Sequence, residues 1–331
     1  TNIRLKSNIT FEIQEGSVLR QSEDFRDYDY PYELGHNSTS LSYIDWAHCN
    51  VVSNYPILQA NEVRNIKVTG KGKIIMSDAD NYGDDLINCG DPLEYQYSVC
   101  SHRLHSMPVG FYDCENVEIS NVEMAKSSGY HVTVTYCRRM TIYNVEMNRV
   151  KCVSSDGVSL GGADGVVICG MFLNGNDDGI VVSAVYDDPR GLWNHRKPGE
   201  FQATINVDVY GSYVASGGGK ALSIISWGTS DPNPENQEMR NITLKDCTLS
   251  GGYAVGVWPD NPYNGRYPFD NSETDDWSNL KDLTVLNCEY LSPVNVWPLI
   301  VTGLVSDSGL VGAEDFQNAE FDQGILYWTL E

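Results

Sequence analysis

The stretch Val153 to Ser183, VSSDGVSLGGADGVVICGMFLNGNDDGIVVS, decides how the chain must be read. It places Asp156 inside Ser-Ser-Asp-Gly and, 21 residues after it, Asp177 and then Asp178 inside Asn-Asp-Asp-Gly. Between the two motifs Gly165 to Leu173 is rich in Val, Ile and Phe and alternates loosely, as a short strand between turns does. The spacing gains meaning only if the chain repeats with a similar period.

It does repeat. Residues 114–124 (CENVEISNVEM) and 137–147 (CRRMTIYNVEM) match at Cys, at the alternating apolar positions and at Asn-Val-Glu-Met. Looser copies stand at 63–74, 202–214, 238–249 and 279–291. Self-similarity at a period of 20–50 residues marks a solenoid. Each copy holds one or two short strands, and no segment of helical period competes with them. The economical architecture is all-β: a right-handed parallel β-helix forming one domain over 1–331. Successive turns of such a coil lie about 4.8 Å apart. Asp156 and Asp177 are therefore expected to stack across one rung with Asp178 beside them, and Gly157 and Gly179 to let the chain bend there.

The chain has 331 residues and a formal net charge of −23, with a pI near 4.5. Nucleic acid and anionic membrane surfaces both call for a basic footprint, so neither is an expected partner. No apolar run is long enough to span a membrane as a helix. Of nine cysteines, Cys114, Cys137, Cys169, Cys247 and Cys288 recur at equivalent places in the repeats, which suits buried core thiols better than a disulfide framework. No Cys-x-x-Cys pair suggests zinc. The strand-like alternation starting at Thr1 leads us to expect a capping segment upstream or a second chain covering the first rung. Secretion, to an extracellular or periplasmic location, is expected on functional grounds alone.

Three long excursions, 22–56, 184–201 and 258–278, interrupt the coil and carry Trp or Tyr. Long loops without structure of their own are often functional, and aromatic faces suit the walls of a sugar-binding groove. Trp193, Trp227 and Trp258 are candidates for that role. The last forty residues read as irregular coils and a C-terminal cover.

These residues together resemble the polygalacturonase-like glycoside hydrolases, family twenty-eight and its β-helical relatives. LKSNITFEIQEGSVL (5–19) looks like that family's early rung. SSGYHVTVTYC (127–137) looks like its Ser-Pro-x-Trp-x-x-His segment, with Tyr130 at the Trp position and Thr133 at the His. Ser154-Ser155-Asp156-Gly157 is similar to its Asn-Thr-Asp-Gly, and Asn176-Asp177-Asp178-Gly179 to its Gly-Asp-Asp-Cys. The resemblance implies an inverting hydrolase of polysaccharide or oligosaccharide that needs no metal or other cofactor. Asp177 would be the general acid, while Asp156 and Asp178 would hold and deprotonate the attacking water. Crowded carboxyls cannot all ionise freely, which favours such a division of roles. An inverting pair stands about 6.5–9.5 Å apart to admit the water.

The departures shape the expected substrate. Where the family has Gly-His-Gly this chain has Ser216-Gly217-Gly218-Gly219-Lys220-Ala221, so that Lys220 could bring a positive charge to the acids. Where the family has Arg-Ile-Lys, a uronate clamp, the chain has Gly256-Val257-Trp258. Losing that charge-assisted grip points to a neutral glycan joined by α-linkages, as in dextranase-like or α-galactosidase-like β-helices, with Lys220, Trp258, Tyr130, Trp227 and Trp193 lining the site. A conventional polygalacturonase is the alternative, with Arg190, Arg196 and Lys197 replacing the missing pair. Two readings come from other classes. A calcium-dependent lyase would use Asp78, Asp80, Asp84 and Asp85, although Tyr82 breaks the loop pattern. A structural or adhesive coil would leave the three acids as turn residues.

Overall fold

The computed structural model describes residues 2–23, 27, 55–77, 106–127, 129–148, 155–184, 202–225, 238–258 and 280–291, with the backbone of 299–301, 305–306, 309–310, 316–322 and 325–330. Among the described residues there is no α-helix, and the strands form a right-handed parallel β-helix with three strands to each full turn. The first strand of successive turns builds a nine-stranded parallel sheet from Ile3–Arg4 to Leu299–Val301. This first sheet includes Val132–Thr135, Val158–Gly161, Ile180–Ser183, Lys220–Ile225 and Tyr253–Trp258. The second and third strands of each turn, together with the antiparallel strands Phe316–Asp322 and Ile325–Leu330, make a 17-stranded sheet in two bands.

The reason these residues coil is visible in columns. In each strand alternate side chains point inward, and parallel register puts like on like. Leu58, Val109, Val132, Val158, Ile180, Leu222 and Val255 stack along the first sheet, all essentially buried. Ile66, Val117, Met140, Val166, Val207, Ile242 and Leu283 do the same in the second band. Ile74, Met124, Met147, Leu173, Val214, Leu249 and Tyr290 complete the third. Each such side chain contributes about 1.5–3 kcal/mol of apolar burial. The repeats at 114–124 and 137–147 are neighbouring turns, with Glu115 opposite Arg138 and Met124 opposite Met147.

Corners between strands explain the recurring Asn. Asn8, Asn65 and Asn116 all adopt positive φ, between 56° and 60°, and ladder through their amides: Asn65 Nδ2 donates to Asn8 Oδ1 at 2.7 Å and Asn116 Nδ2 to Asn65 Oδ1 at 2.8 Å. Asn144 and Asn121, the Asn of the two matched repeats, pair the same way at another corner. The single strand expected over Gly165–Leu173 is instead two, Asp164–Cys169 and Phe172–Asn174, because Gly170 at φ 59° turns the chain between them.

Two further expectations need adjusting. Cys114 with Cys137, and Cys247 with Cys288, are buried free thiols in neighbouring turns, as expected, but Cys169 stands opposite Tyr143 and Tyr210 at a strand end and is half-exposed. Within the last forty residues, expected as irregular coils and a cover, the described strands are regular: Ile325–Leu330 pairs antiparallel with Leu280–Leu291 and with Phe316–Asp322.

Candidate active site

Asp156, Asp178 and Lys220 meet at one edge of the first sheet because each lies two residues before a core apolar residue of its strand. Val158 faces Ile180 and Ile180 faces Leu222, so the three polar residues fall in one column. Backbone bonds extend the ladder to them: Gly157 N–H donates to the Asp178 carbonyl at 3.0 Å, and Gly179 N–H to that of Lys220 at 2.8 Å. This register corrects the expected one. Asp156 stacks with Asp178 and not with Asp177; Asp177 lies over Ser155, whose carbonyl accepts its N–H at 3.3 Å. Tyr130 precedes Val132 by the same two residues and begins the column on the turn before, while Tyr253, opposite Lys220, continues it.

The column is tied together by its own polar atoms. Asp178 N–H donates to Asp156 Oδ1 at 3.3 Å. Lys220 gives Asp178 both its main-chain N–H, at 2.9 Å to Oδ1, and its ammonium, 3.0 Å from Oδ1 and 3.2 Å from Oδ2. All three side chains are buried, whereas Asp177 is half-buried and faces outward from the same turn. Lys220, expected only as a charge somewhere near the acids, is thus a direct partner of one.

The acids are not equivalent. Burial, followed by the charges of Asp177 and Asp178, pushes the Asp156 carboxyl well above the ordinary range. Burial and then the neighbouring Asp178 raise Asp177 to about 7, with Lys220 pulling the other way. Asp178 has the Lys220 ammonium against it and is itself among the causes that raise both neighbours. Gly219 makes this crowding possible: a Cβ there would stand 2.4 Å from Asp178 Oδ1 and 2.9 Å from Asp177 Oδ1. Gly157 and Gly179 serve close approach too, since a Cβ on Gly157 would meet Leu173 and one on Gly179 the Ala221 carbonyl. Neither is in the left-handed region, so bending is not their role.

Other candidates fall elsewhere. Trp258 closes the strand Tyr253–Trp258 opposite Ile225, five residues from the Lys220 register, or about 16 Å along the strand. Gly256, opposite Ser223, is buried in the sheet. Thr133 donates to the Met107 sulfur at 3.0 Å. Trp193, Trp227, Arg190, Arg196, Lys197 and the acids Asp78, Asp80, Asp84 and Asp85 lie outside the described residues. Among the described residues no group of three His, Cys, Asp or Glu side chains is arranged to hold a metal ion. His131, Gly219 and Tyr253 are the neighbours that sequence reading missed. Aligning Asp156-Gly157 with Asp178-Gly179, Gly upon Gly, would have found the register.

The family model described as glycosyl hydrolases family 28 matches residues 50–257. The chain belongs to that family. Curated relatives include an exopolygalacturonase of Platanus acerifolia, 26% identical over 167 residues, and one of Zea mays, 26% identical over 188 residues. The matches cover 49% and 56% of this chain and 38% of each relative, so the chain spans well under half the length of either. Among solved structures, the family 28 exopolygalacturonase of Yersinia enterocolitica matches with a TM-score of 0.51 at 15% identity, over 87% of this chain and 58% of that one. The polygalacturonase of Erwinia carotovora ssp. carotovora matches with a TM-score of 0.51 at 13% identity, over 91% and 82%. Both likenesses speak to the fold.

Proposed function

We propose that this family 28 chain is an inverting glycoside hydrolase of the polygalacturonase kind, acting on α-linked galacturonan. The observation that carries the reading is the Asp156–Asp178–Lys220 column with Asp177 beside it. Asp177 is the most accessible of the acids and holds its proton up to about pH 7, as a general acid for the glycosidic oxygen must. Asp178, with the Lys220 ammonium against it, is the carboxylate that takes the proton of the attacking water. Asp156, whose burial favours the neutral form, orients that water and Asp178 more than it deprotonates. The roles are those of the two carboxyls of inverting glycosidases, although Asp177 Oδ1 and Asp178 Oδ1, 2.9 Å and 2.4 Å from where a Gly219 Cβ would stand, are closer in this structure than the roughly 6.5–9.5 Å such a pair usually keeps.

The substrate choice revises the expectation of a neutral glycan. That expectation rested on Gly256 and Trp258, and neither belongs to the Asp column. The named relatives are exopolygalacturonases, which favours galacturonan. A uronate then finds its cation nearer the acids, where Lys220 stands, or on the 184–201 loop. Because such a polymer lies outside cells, the same proposal places the protein's work there.

Reducing-sugar release from polygalacturonate and from a panel of neutral α-glucans and α-galactans tests this, with Asp177→Asn alongside. Polygalacturonate alone should be cut, and the variant should lose about 10²–10⁴-fold. Cleavage of a neutral glycan in preference would return the substrate reading to the earlier one. No release from any of them would remove the hydrolase reading itself.

A further inference from the structure

We infer that His131 is a positioning residue, fixing the main chain of Asp156, and so the aim of its carboxyl, through an Nδ1–H donated to the Asp156 carbonyl; the inference rests on the glycosidase reading above. The imidazole is completely buried, on the residue just before the strand Val132–Thr135. Its Nδ1 stands 2.9 Å from the Asp156 oxygen. The His131 main-chain N–H reaches the same oxygen at 3.1 Å and the Gly157 oxygen at 3.0 Å. Two donors from one residue therefore converge on one carbonyl, from the turn before. From the turn after, Asp178 N–H takes hold of the Asp156 carboxyl at 3.3 Å. Asp156 is gripped from both sides, main chain by His131 and side chain by Asp178.

The other ring nitrogen argues that this grip is the purpose of the residue. Nε2 is buried and makes no hydrogen bond of good geometry among the described residues, although the Asn148 carbonyl lies near enough to act on the ring. Leaving a buried polar atom so is unfavourable, and an apolar side chain of similar size would avoid it. What only the imidazole adds here is the Nδ1 donor. Burial holds the ring below its ordinary pKa, against the opposing pull of the Asp156 and Asn148 carbonyls. Burial thus favours the neutral ring, and because the Asp156 carbonyl can only accept, Nδ1 is the donor and Nε2 the bare nitrogen of that tautomer. His131 touches no reacting atom; it acts through Asp156.

The test compares His131→Leu and His131→Asn on polygalacturonate, since an Asn amide can place its nitrogen where Nδ1 was. The Leu variant should lose about ten- to a hundredfold in kcat with KM little changed, and the Asn variant should recover most of it. A folded Leu variant with wild-type kcat, an Asn variant no better than Leu, or a loss confined to KM would each overturn the assignment. ¹⁵N NMR of the wild-type imidazole reads the same contact without any turnover. A ring protonated at Nδ1 is expected, and one protonated at Nε2 would overturn the proposal even if no variant folds. Should the wild type cut no galacturonan while the Nδ1–H is seen, the activity reading fails and the His131 contact stands.

Discussion

At the scale of single residues, the site sets one ion-paired carboxylate beside two carboxyls whose pKa burial and crowding raise. Asp177 titrates at about 7 in the folded chain against about 3.9 unfolded, so the native state binds its proton more tightly. Stability from this group is complete below pH 4 and is lost as pH rises through 7. Asp177→Asn, which cannot ionise, should match the wild type at pH 4 and exceed it at pH 8, by at most about 4 kcal/mol. Urea midpoints at the two pH values read this directly, and an equal difference at both would mean that Asp177 ionises freely. Activity carries the same sign: kcat/KM should fall above pH 7 as the acid loses its proton. Lys220 offers a second check. Removing one partner of a buried ion pair strands the other, at a cost of about 3–5 kcal/mol. Lys220→Met should show that loss in thermal or urea unfolding. Adding Asp178→Asn to it should restore much of the stability and none of the activity, whereas a double variant as unstable as the single one would show that the pair is not what matters.

At the scale of the element, the corner is the unit that turns strands into a coil. Asn116 sits at φ 58° and gives its amide to Asn65. For most side chains the left-handed region costs about 1–2 kcal/mol, and a hydrogen bond contributes about 1 kcal/mol more. Asn116→Ala should therefore destabilise by roughly 1–3 kcal/mol, and Asn116→Gly by less, since glycine keeps the backbone but not the ladder. Equal losses from the two in denaturant titrations would assign the effect to the amide alone. The Asn121–Asn144 corner left a trace as the Asn of Asn-Val-Glu-Met, whereas the Asn116 corner did not, because Arg139 takes its place in the next copy. His131 was not legible: it is a buried polar residue that obeys no repeat, and it acquires meaning only from the Asp156 carbonyl that folding brings to it.

At the scale of the whole molecule, parallel register converts a 22-residue offset into a stack, and so converts sequence period into chemistry. The coil was legible because inward positions repeat Val, Ile, Leu and Met in every copy. The true stacking partner of Asp156 was obscured because Asp177 and Asp178 are adjacent, and counting Asp to Asp is one residue out from counting Gly to Gly. Lys220 was harder still, since the 184–201 excursion breaks the period between it and Asp178. The same architecture leaves a vulnerable edge wherever a turn has no successor. The 280–291 strand has its outer edge covered by the antiparallel Ile325–Leu330, with Phe316–Asp322 beyond it. Deleting 316–331 would expose a twelve-residue row of unpaired backbone groups, a template for pairing with another copy. The truncated chain should therefore self-associate, while its acid column, which begins with Lys220 one turn back and runs away from the exposed edge, keeps the geometry needed for cleavage. Light scattering after size exclusion measures the first and reducing-sugar release the second. A truncated chain that stays monomeric would mean the hairpin protects nothing, and one that is monomeric but inactive would place the hairpin's role in the site instead.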